Sequence, residues 1–254
     1  MTMERVKRAN GGEGPMRITR IALAIALLLT GTAFGQSDSA KTAKPEIKVN
    51  PEFAKMGTVF YVDDPAHRDW VTFKSSAPLE DIVGTSNTIT GYLVFDPQNP
   101  ANGGRGELSV PVASLKTGIP LRDGHLLGKA WFDAETYPDI KLTITDVKGV
   151  KELKASGGFQ TYDVTLVGEF SIRGKAKKME IPGRLTYLKE SEETKKKMGG
   201  DLLAARATFS IILADFGIMG PEGADLIGSK VGESVSVDVS IMGTTQTPGK
   251  KSDS

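Results

Sequence analysis

The chain has 254 residues, 39% of them hydrophobic and 25% charged, with 32 basic against 31 acidic side chains and no cysteine. So even a balance gives no global field to steer nucleic acid or anionic lipid, and nucleic acid is not expected as a partner. The lack of cysteine excludes disulfides, thiolate chemistry, Cys-ligated zinc and an acylated lipoprotein cysteine, so the fold has to rest on its apolar core.

In chain order, Arg17-Ile-Thr-Arg20 precedes an apolar run from Ile21 to Leu29, followed by Thr30-Gly-Thr-Ala-Phe-Gly-Gln36. A basic flank, a short apolar run and small residues at Ala33 and Gly35 predict a secretory signal peptide over residues 1–35. The run falls short of the roughly 20 residues that span a bilayer, so no stable membrane insertion is expected after cleavage. Met16 is an alternative initiator. Without residues 1–35 the chain carries 27 basic and 29 acidic groups, a net charge of −2.

Residues 36–56 are polar and aperiodic and read as a flexible leader. From Gly57 the pattern turns to β-type runs: Thr58–Val62, Trp70–Lys74 and Thr88–Asp96, separated by turn clusters such as Asp63-Asp-Pro-Ala-His67. Glu107–Val112 alternates, with Leu108, Val110 and Val112 on one face and Pro111 at an edge or bulge. The stretch Ser114–Ile140 interrupts the alternation and reads as a short helical insertion. It holds His125, Trp131 and the pair Arg122-Asp123. Period-two alternation then resumes through Ile140, Leu142 and Ile144; through Tyr162, Val164, Leu166, Phe170 and Ile172; and through Met179, Ile181, Leu185 and Tyr187. An Arg173-Gly174-Lys175 turn joins the last two runs. Two more faces follow, Ala205 to Leu213 and Val235 to Ile241, and residues 245–254 read as a disordered tail. About eight antiparallel strands with one buried face and no internal repeat predict an all-β protein, closed into a barrel over residues 57–244. Such a barrel either fills its interior with side chains or encloses one ligand. Small inward positions (Gly91, Gly168, Ala205, Ala207) suit either outcome, and strands of eight to ten residues would make a tube of roughly 30 Å.

Ser114-x-x-Thr117-Gly118, Leu121-Arg122-Asp123-x-His125-Leu126, Trp131-Phe132-Asp133 and Tyr137-Pro138-x-Ile140 together resemble the central signature of the YceI-like family. Phe170-Ser-Ile-Arg-Gly174 with Lys177 and Ile181-Pro182, then Asp215-Phe216-Gly217-Ile218 and Val231-Gly232-Glu233, follow in the family's order. The resemblance covers roughly Gly57 to Thr244. It implies a lipocalin-like extended antiparallel β-barrel, exported to the bacterial periplasm, whose lumen binds a long polyisoprenoid, a fatty acid or a prenyl-quinone. It also implies a binder and not an enzyme. The chain departs from the family at Phe73-Lys-Ser-Ser-Ala77, where a histidine is usual, and at Leu213-Ala214, where an arginine often precedes Asp-Phe-Gly.

The expected apolar wall is Ile89, Leu93, Phe95, Val110, Leu142, Ile144, Leu166, Phe170, Phe209 and Ile211, each of which would serve equally as dry core. At the mouth, Arg122 can grip a phosphate or carboxylate head bidentately; the simpler role is a salt bridge to Asp123 or a hydrogen bond that fixes the loop. His125 joins it as a ligand-binding residue. With His67 as the second histidine and no cysteine, neither a metal nor a catalytic site is expected, and no cofactor. Two alternatives stay open: a hydrolase or isomerase built on His125 and Asp123, and a partner-binding stress protein with a filled barrel. Pairing of two barrels into a homodimer is compatible with either.

Overall fold

The computed structural model describes residues 46–196 and 198–249; the expected signal peptide, the first part of the leader and the end of the tail lie outside the described residues. Ten strands form in order: β1 (Thr58–Val62), β2 (Trp70–Ser76), β3 (Asp81–Ser86), β4 (Thr90–Phe95), β5 (Gly104–Pro111), β6 (Asp139–Ser156), β7 (Phe159–Ile172), β8 (Lys175–Leu188), β9 (Leu202–Ile212) and β10 (Ser234–Thr244). Short helices α1 (Pro51–Ala54), α2 (Pro120–Leu127) and α3 (Glu192–Lys195) punctuate them. Alternation decides the buried face: in β7, Tyr162, Val164, Leu166, Phe170 and Ile172 are buried while most of their neighbours are less so.

All pairings between these strands are antiparallel. The order β1-β4-β5-β6-β7-β8-β9-β10 closes on itself through the pairing of Tyr61 with Thr244, giving the expected eight-stranded lipocalin-like barrel. The hairpin β2-β3 is an addition to this circuit. One edge of β10 serves two partners, β2 along Val235–Ser240 and β1 at Thr244. Between them, the Met242 amide donates to Asp69 Oδ1 at 2.8 Å. At the far edge of the hairpin, Thr85 and Lys116 exchange two backbone hydrogen bonds of 2.8 Å, and Ser86 Oγ meets Ser114 Oγ at 2.7 Å. The wall is thereby continued past β3.

β3 was not foreseen because its inward face is Ile82, Gly84 and Ser86, with a single apolar side chain. Gly84 is required there: a Cβ would lie 2.1 Å from the Phe73 ring. Gly168 is likewise a place of close approach and does not widen the lumen. Its Cβ would fall 2.3 Å from the Thr143 carbonyl oxygen, beside a register shift between Ile144 and Asp146 that bends β6 over β7. The β7–β8 turn has Arg173 and Gly174 both at positive φ (51° and 69°), the two-residue hairpin its sequence suggests.

Both ends of the domain differ from expectation. Residues 46–56, read as flexible leader, carry α1, capped by Asn50, whose amide donates to the hydroxyl of the buried Tyr92 at 3.1 Å. At the other end, Thr245 N donates to Asp201 O at 3.0 Å, and Asp201 N donates to Thr245 Oγ1 at 2.9 Å. The first tail residues therefore belong to the fold because they satisfy polar groups beside the closed end.

Candidate functional site

The barrel interior is divided. One half is solid: Phe60, Phe95, Tyr162, Leu185, Tyr187 and Leu203 fill it, with Phe95 and Tyr162 rings 5.8 Å apart and Phe60 edge-on to Tyr187 at 6.3 Å. The other half holds a cavity of about 600 Å³. Val71 and Phe73 of β2, Ile82 of β3, Leu108 and Val110 of β5, Ile140 and Leu142 of β6, Phe170 and Ile172 of β7, Phe209 and Ile211 of β9, and Val235, Val237 and Val239 of β10 form its wall. A separate void of about 40 Å³ lies behind it. Leu108, Leu142, Phe209 and Val239 line both spaces and so make the floor between them.

This division sorts the expected wall residues. Ile89, Val110, Leu142, Phe170, Phe209 and Ile211 line the cavity, as do Arg122 and His125 at its mouth. Leu93, Ile144 and Leu166 line the small void, and Phe95 lies in the solid half. The open tube of roughly 30 Å is therefore corrected to a pocket in one half of the barrel. Its cause is the run of large aromatics converging at the other end, where β1 joins β10.

The mouth is built from the interrupting stretch. Pro120 starts α2 with its φ already set and no amide to satisfy. Asp123 accepts from Thr117 N at 2.7 Å and Thr117 Oγ1 at 2.6 Å, folding the preceding loop onto the helix. These bonds hold its carboxyl below the usual carboxylate range, the Thr117 hydroxyl first among them. Arg122 does not pair with Asp123 as expected; it reaches Glu80 at the β2–β3 turn, 42 residues away. Past α2, Trp131 and Phe132 line the cavity, as a plug under the helix would, whereas Tyr137 lies apart against the β7–β8 turn at Gly174. Arg173 clamps this region from below, donating from Nη2 to Lys129 O at 2.8 Å and from Nη1 to Gly217 O.

Charged groups touch the cavity at five positions: Glu80, Arg122, Lys129, Lys141 and Lys230. Glu80 is neutralised by Arg122. The three lysines have no ion pair among the described residues, and sequence reading missed them because solvated lysines look alike in loop or strand. His125 is exposed, and its side chain has no hydrogen-bond partner among the described residues. No group of three or more His, Asp or Glu residues that could hold a metal occurs among the described residues. The arrangement can take an apolar body inside and an anionic group at the rim.

Comparison with known proteins fits the architecture. The sequence model of the YceI-like domain matches residues 61–242. A UPF0312 protein of Photorhabdus laumondii is 30% identical over 174 residues, covering 66% of this chain and 82% of its own. A UPF0312 protein of Pseudomonas putida is 28% identical over 192 residues, covering 75% and 88%. Among solved structures, Burkholderia cenocepacia BcnA superposes with a TM-score of 0.54 at 22% identity, covering 72% of this chain and 99% of that one. A polyisoprenoid binding domain from Saccharophagus degradans gives 0.51 at 16% identity, covering 75% and 99%. At these identities the two structures speak for the fold.

Proposed function

Since this chain belongs to the YceI-like family, we propose that it is a lipid-binding protein that holds the tail of a polyisoprenoid, fatty acid or prenyl-quinone in the half-barrel cavity. The observation that carries this reading is a 600 Å³ space walled by apolar side chains, with its charged groups confined to the rim. That volume is within the range of small-molecule sites. At about 30 Å³ per group the size of a water or methylene, it has room for roughly 20 such groups. Burial at about 0.8 kcal/mol per methylene gives on the order of 16 kcal/mol gross, which exceeds most estimates of the ordering and association cost. A longer chain projects its remainder through the mouth.

The head, phosphate or carboxylate, sits beside Lys129 and Lys230, with Arg122 held back by Glu80. The Saccharophagus domain, named for polyisoprenoid binding, supports the ligand class by shared fold. Export to the periplasm, through the signal peptide at 1–35, completes the proposal. A hydrolase built on His125 and Asp123 has less behind it: Oδ1 of Asp123 is engaged by Thr117, and no hydrogen bond joins Asp123 to His125 among the described residues.

The test is native mass spectrometry of the delipidated chain offered prenyl alcohols and fatty acids from about 10 to 40 carbons. Uptake is expected to strengthen with length up to about 20 carbons and then level off. Absence of uptake at every length sinks the reading, and affinity that keeps climbing to 40 carbons sinks the half-barrel limit.

A further inference from the structure

Leu79 (72% exposed), Leu121 (70%) and Met219 (68%) are the three most exposed large hydrophobics among the described residues. They occupy three separate tips around the cavity mouth: the β2–β3 turn, the first turn of α2, and the loop after the 3-10 turn Leu213–Phe216. The tips are tied to one another. Leu79 N donates to Ser229 O at 3.1 Å, and Arg122, next to Leu121, pairs with Glu80, next to Leu79. Ile119 and Leu127 of the same helical stretch are exposed as well. A single exposed leucine needs no account, but apolar tips gathered around an apolar opening mark a docking surface.

The charges choose the partner. Four of the five charged residues that touch the cavity are basic and the one acid is already paired; Lys141 leaves β6 on the face opposite Ile140 and Leu142, so Lys129 and Lys230 are the free cations at the mouth among the described residues. Glu222 and Asp225 lie on the same loop as Met219 but do not line the opening. The chain's overall charge is close to zero, so this local set decides what the mouth meets.

We infer that the mouth docks on an anionic lipid bilayer, with Leu79, Leu121 and Met219 inserted among the head groups and the lysines facing their phosphates. An oily chain then passes between bilayer and cavity without crossing water. The transfer step rests on the lipid-binding reading above; the docking step does not.

The absence of cysteine makes the test direct. Single substitutions L79C, L121C, M219C, L153C and F159C in the full chain each place one nitrobenzoxadiazole dye at a known point, the last two being apolar and exposed far from the mouth. With phosphatidylglycerol–phosphatidylethanolamine vesicles, the dyes at 79, 121 and 219 brighten and shift to the blue, while those at 153 and 159 do not. Because position is read and not total binding, attachment through the apolar run at Ile21–Leu29 cannot imitate that pattern. Adding K129Q and K230Q to L121C raises the lipid concentration for half response about 25-fold, on the order of fivefold per lysine.

Equal response at 159 and 121, no response at the three tips, or a half-response indifferent to the lysines overturns the docking. So does a tip response that appears without vesicles and grows with protein concentration, which would mean that a second copy covers the rim. Uptake of a fluorescent C18 fatty acid in vesicle-free buffer reads the cavity alone. A chain that loads but does not dock loses this inference and keeps the lipid-binding reading, and the converse result does the opposite.

Discussion

Replacing Asp69 with Asn should stabilise this protein at neutral pH. Asp69 is 4% exposed, and its Oδ1 accepts from Met242 N at the point where β10 changes partner. Its Oδ2 is buried with no partner among the described residues. Burial is the largest cause pushing its carboxyl up to about 6; the Met242 bond opposes, the Asp64 charge adds to the rise, and Arg68 offsets part of it. The folded state thus holds the proton more tightly than the unfolded chain does, and the full stability exists only below the unfolded pKa near 3.8. It is lost progressively as pH rises to about 6 and stays lost above. A rise of about 2 units corresponds to about 3 kcal/mol. Asn copies the protonated carboxyl: it keeps the acceptor for Met242 and carries no charge. D69N should therefore gain about 2–3 kcal/mol at pH 7.5 and only about 1 kcal/mol at pH 4.5. In Tm this is roughly 4–12 °C at neutral pH for a domain of this size. Denaturant or thermal unfolding of both proteins from pH 4.5 to 8 measures the difference, a range over which Asp64, held down to about 2 by its bond to Arg68, stays charged in the folded state. D69A, which abandons Met242, should fall short of D69N by about 1–3 kcal/mol at every pH. If D69N is no more stable at pH 7.5, or its advantage fails to shrink on acidification, the account of a strained buried charge at the seam is wrong.

Phe209→Ala removes the largest side chain of the floor and should join the cavity to the void behind it. The expected gain is about seven carbons of tail length, at a cost of about 3 kcal/mol in stability, read as a longer mean chain in the bound lipids by mass spectrometry; an unchanged distribution contradicts the floor. Glu80→Gln frees Arg122 and loosens α2 from the β2–β3 turn. The pair is partly exposed, so less than about 1 kcal/mol of stability should go, while release of a fluorescent fatty acid accelerates several-fold; an unaltered release rate would show that α2 does not retain the ligand. Arg173→Lys keeps the charge but cannot reach both Lys129 O and Gly217 O with one planar fork. A loss of about 1–2 kcal/mol, with faster amide exchange at residues 129–133 and 217–219, is expected; a Tm within 1 °C of wild type, roughly the experimental error, would refute the clamp.

What could be read from the sequence was what neighbouring residues decide. Arg173-Gly174 announces its turn because two consecutive positive φ values are a local matter, and the faces of β6 to β10 follow from alternation alone. β3 escaped because Gly84 and Ser86 occupy its inward face to make room for the Phe73 ring, a demand set by another strand. The extent of the cavity escaped for a similar reason. Leu142 and Ile144 share a face two residues apart, yet one lines the pocket and the other only the void behind it. Alternation assigns a side but not a depth, and depth depends on how closely the opposite walls approach. Arg122 found Glu80 and not its neighbour Asp123 because the β2–β3 turn brings a carboxylate from 42 residues away within reach, a partner visible only in three dimensions.

The unequal halves of the barrel are physically linked. Emptying 600 Å³ from a packed core at about 24 cal/mol per Å³ would cost on the order of 14 kcal/mol, as much as the whole net stability of many domains. A chain without disulfides can leave one half hollow only if the other half holds the fold by itself. The closed end has the means: an aromatic core, Tyr187 Oη donating to Asp201 at 2.7 Å, and the segments at Asn50 and Thr245 fastened to the barrel. The hollow half, by contrast, is finished with an added hairpin, one short helix and side-chain ties such as Arg122 to Glu80 and Arg173 to two carbonyls. These are contacts that can open without unravelling the circuit. On the lipid-binding proposal a bound tail would serve as the missing core of that half, so stability should rise with the logarithm of ligand concentration once it exceeds the dissociation constant, and the order of the mouth should rise with occupancy.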